Sequence, residues 1–139
     1  MHKFYPERAE KLERTDRYEQ LQPEETLRRF GLRRGMTVAD IGAGTGFFSR
    51  AAVSIVGTSG RVLAVDMSAE MLATLRAQGI PANMQPVLSA EYQIPLADHT
   101  ADFVLLAFVM HENEDPLRFL REVGRIARPN ATLLVIDWK

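Results

Sequence analysis

The chain contains no cysteine, which excludes disulfides and thiolate metal centres and fits a reducing compartment. It has no apolar run near the ~20 residues of a membrane-spanning helix, and Met1-His2-Lys3-Phe4-Tyr5-Pro6 carries no signal-peptide core. A soluble, cytoplasmic protein is therefore expected. Neither sign of charge is in excess: a net charge of -1 leaves no electrostatic footprint for nucleic acid or for an anionic membrane. The basic group Arg28, Arg29, Arg33 and Arg34 is interrupted by Phe30-Gly31-Leu32 and reads as a solvated helix end. The acidic run after His111 has no paired ligand spacing, and His2 and His99 are not obvious partners for it, so no metal is expected.

What is present is concentrated between Val38 and Gly46, where Val-Ala-Asp-Ile runs straight into Gly42-Ala43-Gly44-Thr45-Gly46. A buried strand that ends in alternating glycines can turn sharply and bring its backbone close to a ligand. It then feeds a helix whose first N–H groups are free. Asp40 at the strand end points to a ligand with donors to offer, such as an ammonium. Twenty residues after Gly46, the short apolar run from Arg61 ends in Asp66. In a parallel sheet, a carboxylate at the tip of the second strand lies beside the first and can accept both hydroxyls of a ribose. The plainer role, capping the next helix, suits Ser68 better than Asp66.

At 139 residues the chain has the length of one domain with a real core. Its periodicity alternates. A helix is predicted from Pro23 to Phe30, a strand over 37–41, a helix from Thr45 to Val56 and a strand over 62–65. A helix over 69–78 and a strand over 84–88 follow. Ala101 to Phe108 is apolar on both faces, as a central parallel strand should be. A helix starting at Asp115-Pro116 and a strand over 131–137 complete the series. The fold class is α/β: a doubly wound, mostly parallel sheet, with a ligand across the carboxyl ends of its strands.

Taken together, these blocks resemble the Rossmann-like class I S-adenosylmethionine-dependent methyltransferases, most closely the small-molecule group that includes the ubiquinone and menaquinone biosynthesis enzymes. Val38 to Gly46 is similar to that family's first motif, and Val65-Asp66-Met67-Ser68 to its acidic second motif. Ser89-Ala90-Glu91-Tyr92-Gln93-Ile94-Pro95-Leu96 resembles its Asp-Ala-Glu-x-Leu-Pro-Phe loop. Phe103 to His111 resembles the fourth-strand motif, and Arg128-Pro129-Asn130-Ala131 the turn before strand five.

The resemblance implies S-adenosyl-L-methionine as cofactor and a small-molecule methyl acceptor. It implies that Asp40, Gly42, Ala43, Gly44 and Gly46 surround the methionine end and that Asp66 takes the ribose. Met67, Ser89 and Ala90 would surround the adenine, Ala107 would close over the amino group, and Glu91 joins the cofactor-binding set. The family usually has Asp where Ser89 stands, so adenine binding is expected to lean on Ala90 and on packing by Met67. Residues 1–35 are expected to form a helical lid, with Phe4, Tyr5, Arg17 and Tyr18 as candidate acceptor contacts, and residues 36–139 the cofactor domain. His111 is either a general base or simply a loop residue.

Family domains continue past strand five with a helix and two further strands. The fold is therefore expected to be truncated after strand five of seven, with a homodimer covering the bare edge. A nicotinamide-dependent oxidoreductase, a non-catalytic cofactor-binding domain and a truncated fragment are the alternatives.

Overall fold

The computed structural model describes residues 21–110 and 113–137. Helix α1 spans Pro23–Arg29. It is followed by β1 (Thr37–Ile41), α2 (Phe47–Val56), β2 (Arg61–Asp66), α3 (Ala69–Ala77), β3 (Met84–Leu88), β4 (Ala101–Ala107), α4 (Pro116–Ile126) and β5 (Ala127–Ile136). The strands form one parallel sheet in the order β3-β2-β1-β4-β5. The order reverses between β1 and β4, and in open α/β sheets this is where the strand ends part to admit a ligand.

Burial explains the layers. Phe103 and Leu105 of β4 pack on one side with Val38, Leu27 of α1 and Phe48, Ala52 and Val56 of α2. Val104 and Leu106, pointing the other way, pack with Ala39, Ile41 and Phe119, Val123 and Ile126 of α4. Strands covered on both faces must be apolar throughout, which is why β1, β2 and β4 read as continuous apolar runs. Leu27 and Leu32 are almost wholly buried, and each contributes roughly 1.5–3 kcal/mol of transfer free energy. Helix α1 is thus part of the same core as the sheet.

Beyond one-residue shifts at several ends, three boundaries differ from the sequence reading for a local reason. Helix α2 starts at Phe47 rather than Thr45, because Gly46 at φ +96° is left-handed and cannot lie inside a helix. Strand β4 stops at Ala107, because buried Phe108 adopts φ +63°. Strand β5 begins at Ala127, opposite Ala101, and regains pairing at Thr132, opposite Phe103. The Arg128 to Ala131 turn between them bulges out with Asn130 at φ +68°. Asp102, opposite the bulge, accepts from Arg128 at 3.1 Å and from the Thr37 N–H at 2.8 Å.

Among the described residues β5 pairs only with β4, and Leu133 and Val135 on it are each 47% exposed. No described helix is long and apolar enough to cross a membrane.

Candidate functional site

The carboxyl ends of β1, β2 and β4 converge on the glycine turn. Gly42 and Ala43 donate their N–H groups to the Val65 carbonyl at 2.7 and 2.9 Å, which locks the turn against β2. Gly42 needs φ +79°, and a Cβ there would stand 2.2 Å from Val109 Cγ1. A side chain is therefore excluded by both backbone and neighbour. Gly44 differs: its φ of +61° favours glycine, but a Cβ would meet nothing within 4 Å. That open face leaves the backbone approachable. Within the same turn the Thr45 hydroxyl is buried without a partner among the described residues.

Asp40 lies beneath this turn rather than on it, only 2% exposed, with Ala64 of β2 and Leu105 of β4 beside it. Its Oδ2 accepts from the Ser49 hydroxyl of α2 at 2.7 Å. Burial pushes the carboxyl up to about 7; the Ser49 hydrogen bond opposes this, and the nearby Asp66 charge adds to it.

Asp66, half-buried, is held by backbone donors on opposite oxygens. Oδ2 accepts from Gly44 N–H at 2.8 Å and Oδ1 from Ser68 N–H at 2.9 Å. Burial raises its pKa too, against these N–H groups. The Met67 N–H also acts on this carboxylate, and two oxygens with about two acceptor positions each still leave it capacity for an incoming hydroxyl. Ser68 is the cap, its hydroxyl accepting from Met71 N–H at 3.1 Å, so Asp66 is not needed for capping.

Around these groups stand the remaining sequence-derived candidates. Met67 follows Asp66 and is 56% exposed, an apolar side chain facing solvent at the sheet edge. Ser89 N–H donates to the Asp66 carbonyl at 2.9 Å, tying the loop after β3 to β2. The Ser89 hydroxyl donates to the Ala90 carbonyl at 2.8 Å, which leaves its lone pairs able to accept. Ala90 is exposed, Glu91 is partly so, and Ala107 is half-buried at the end of β4. His111, and residues 1–20 of the expected lid, lie outside the described residues. Among the described residues no group of His, Cys, Asp and Glu could hold a metal.

Three features escaped sequence reasoning. One is Ser49, whose role is set by its neighbour on β1. Another is Val109, packed over Gly42. The third is a clamp from α4 on the loop after β3. Arg125 donates to the Ile94 and Leu96 carbonyls at 2.8 and 2.9 Å, while Glu122 accepts the Ile94 N–H at 2.6 Å. The two side chains also pair at 2.8 Å, and the Arg125 guanidinium holds the Glu122 carboxyl below its ordinary value. A cleft of about 600 Å³ opens beside this loop between Leu88, Ala90 and the clamp. Only the i, i+3 spacing of Glu122 and Arg125 was visible beforehand; their loop partners lie 28 to 31 residues away.

The arrangement offers what a bound adenosine carrying a cationic amino-acid tail needs: a paired acceptor, an apolar ledge and an acid beneath an open glycine turn. Arg50, which stands beside Gly46, donates instead to the Gly79 and Leu75 carbonyls at 3.0 and 3.1 Å. Comparison with known proteins agrees with this reading. The methyltransferase domain family matches residues 39–135. The ubiquinone/menaquinone biosynthesis C-methyltransferase UbiE of Klebsiella pneumoniae is 34% identical over 112 residues, covering 78% of this chain and 45% of that protein. The chain thus spans less than half the length of the curated relatives it matches. A SAM dependent methyltransferase from Aquifex aeolicus superposes with a TM-score of 0.90 at 42% identity, covering 99% of this chain and 74% of that one. An arsenic(III) S-adenosylmethionine methyltransferase from Chlamydomonas reinhardtii superposes at 0.69 with 27% identity, covering 73% and 38%. With its glycine turn, the acid at the tip of β2 and its sheet order, the chain belongs to the methyltransferase domain family, in the Rossmann-like class I that depends on S-adenosylmethionine.

Proposed function

We propose that this chain binds S-adenosyl-L-methionine across β1, β2 and β4 and transfers its methyl group to a small-molecule acceptor. The observation that carries the reading is Asp66: backbone N–H groups, among them Gly44 on one oxygen and Ser68 on the other, hold its carboxylate in place at the tip of β2, beside the open face of Gly44. The orphaned Thr45 hydroxyl in the same turn adds a polar atom with capacity to spare. In this proposal Asp40, Gly42, Ala43, Gly44 and Gly46 surround the amino-acid end of the cofactor. Asp66 accepts the ribose hydroxyls, and Met67, Ser89, Ala90, Glu91 and Ala107 surround the adenine. Asp40, buried beneath the turn, attracts the ammonium through it rather than from its surface.

The cofactor, when bound, supplies an activated sulfonium methyl group. The chain's own contribution is to hold the acceptor in line and exclude water. His111, immediately after Met110, is the candidate base for acceptors that must lose a proton. The Klebsiella relative is by name a ubiquinone/menaquinone biosynthesis C-methyltransferase and the Chlamydomonas one an arsenic(III) methyltransferase, and the acceptor of this chain is proposed no more finely than a small molecule.

The same reading includes a homodimer across β5. The Ile136 carbonyl accepts from Phe108 N–H, so alternate residues of β5 face β4, and the backbone groups of Leu133 and Val135 face outward. On the opposite edge of the sheet, Pro86 of β3 occupies an outward-facing position and blunts pairing there. No charge or proline blunts Leu133 to Ile136.

The cofactor proposal is tested by calorimetry with adenosylhomocysteine and with NAD, followed by methyl transfer from labelled adenosylmethionine to a panel of small acceptors. Micromolar binding of adenosylhomocysteine alone is expected, with Asp66→Asn weakening it at least tenfold. His111→Ala is expected to lower turnover and leave that affinity nearly intact. Binding of NAD only would overturn the reading.

A further inference from the structure

The reaction proposed above uses Asp40 as a charge, yet the structure surrounds it with what disfavours a charge. Ala64 and Leu105 flank it on the neighbouring strands. The charged group facing it from β2 is Asp66, of the same sign, and no described cation pairs with it. Helix α2 brings Ser49, whose hydroxyl stands 2.7 Å from Oδ2 and whose backbone N–H also favours the charged form, the hydroxyl more strongly. Ser49 is itself fully buried in the first turns of α2, so its hydroxyl has no competing water. Its hydroxyl proton engages one oxygen of Asp40, Oδ2.

We propose that Ser49 is a positioning residue that holds Asp40 ready to ionise, so that binding of the cationic cofactor releases one proton from Asp40 to solvent. The inference rests on the cofactor reading given above. No covalent bond forms or breaks in the cofactor. The O–H bond of the neutral carboxyl breaks, the proton leaves to water, and the carboxylate balances the arriving ammonium.

Burial places the titration of the unliganded group near 7, so ionisation and binding compete in the neutral range. Above the midpoint the acid is already charged and affinity is level. Below it each pH unit should cost about tenfold in affinity, the dependence expected when one proton is linked to binding. Removing Ser49 takes away the one side-chain donor to the charged form, which moves the midpoint upward. At pH 7 a larger share of Asp40 is then neutral.

Two measurements on the intact chain separate the parts. Carbon-detected NMR titration of the Asp40 carboxyl needs no ligand: a near-neutral midpoint in the wild type and a higher one in Ser49→Ala are expected, and identical midpoints would overturn the role of Ser49. Calorimetry with adenosylhomocysteine between pH 6 and 8.5 is expected to show affinity falling about tenfold per unit below the wild-type midpoint, with the break displaced upward in Ser49→Ala. Ser49→Thr, which keeps the hydroxyl, should restore the wild-type break. Where the added methyl group disturbs the buried site, Ser49→Cys, a weaker donor of similar size, should give an intermediate break. A flat affinity profile in the wild type would overturn the coupling. Absence of binding at every pH, with the NMR midpoints displaced as expected, would overturn the cofactor reading and leave the Ser49–Asp40 pairing standing.

Discussion

Asp40 destabilises the unliganded protein in the pH range where a ligand would use it. Its folded pKa is raised above the ordinary carboxylate value, so stability is fully present only below that ordinary value, 3.8, and is lost progressively as the pH rises to about 7. Asp40→Asn should therefore be more stable than the wild type at pH 8, by about 2 to 4 kcal/mol, and little different near pH 3.5. Chemical denaturation at the two pH values measures this, and equal stabilities at pH 8 would contradict the buried, unpaired acid. Asp40, Asp66 and the glycines were legible in the sequence because their pattern is packed into short stretches at the ends of strands. Ser49 was not, because a serine on a helix is read as neutral until a strand is laid against it and its hydroxyl finds Asp40.

The loop after β3 shows what an element contributes. Residues 89–98 form no regular structure, yet they carry Ser89 and Ala90, and their position depends on α4. Arg125 accounts for the Ile94 and Leu96 carbonyls and Glu122 for the Ile94 N–H, so the loop's backbone is satisfied by side chains from another element. Arg125→Ala leaves those carbonyls without their donor and the Glu122 carboxylate without its cation. A loss of about 1–3 kcal/mol is expected, together with faster hydrogen exchange at Ile94 and weaker adenosylhomocysteine binding. Unchanged exchange at Ile94 would show that the loop holds itself. The pairing contributes stability above the usual glutamate range, about pH 4.3, and that contribution fades as the pH falls through the lower folded value. The element boundaries follow the same logic. Helices and strands were legible from periodicity, while the end of β4 was set by left-handed Phe108, which no propensity of phenylalanine would indicate, and the bulge within β5 holds left-handed Asn130, a residue that tolerates that conformation.

At the scale of the whole molecule the sheet has two unlike edges: β3 is blunted by Pro86, and β5 exposes Leu133 and Val135. Pairing of two copies along β5 predicts a mass in sedimentation that rises with concentration. Val135→Lys, which places a charge on that surface without touching the buried face, should return the chain to a monomer; a concentration-independent monomer in the wild type would rule the dimer out. The sequence by itself determined the alternation of strands and helices, the glycine turn and the two acids. These depend on hydrophobic period and on backbone freedom, both of which are properties of neighbouring residues. Only the tertiary structure decided that Asp40 lies under the turn, that Ser49 answers it, that Val109 closes over Gly42 and that α4 holds the loop beside Ala90. Those contacts join residues brought together by the order of strands in the sheet. Their energies come from burial and from hydrogen bonds whose partners a linear pattern does not identify.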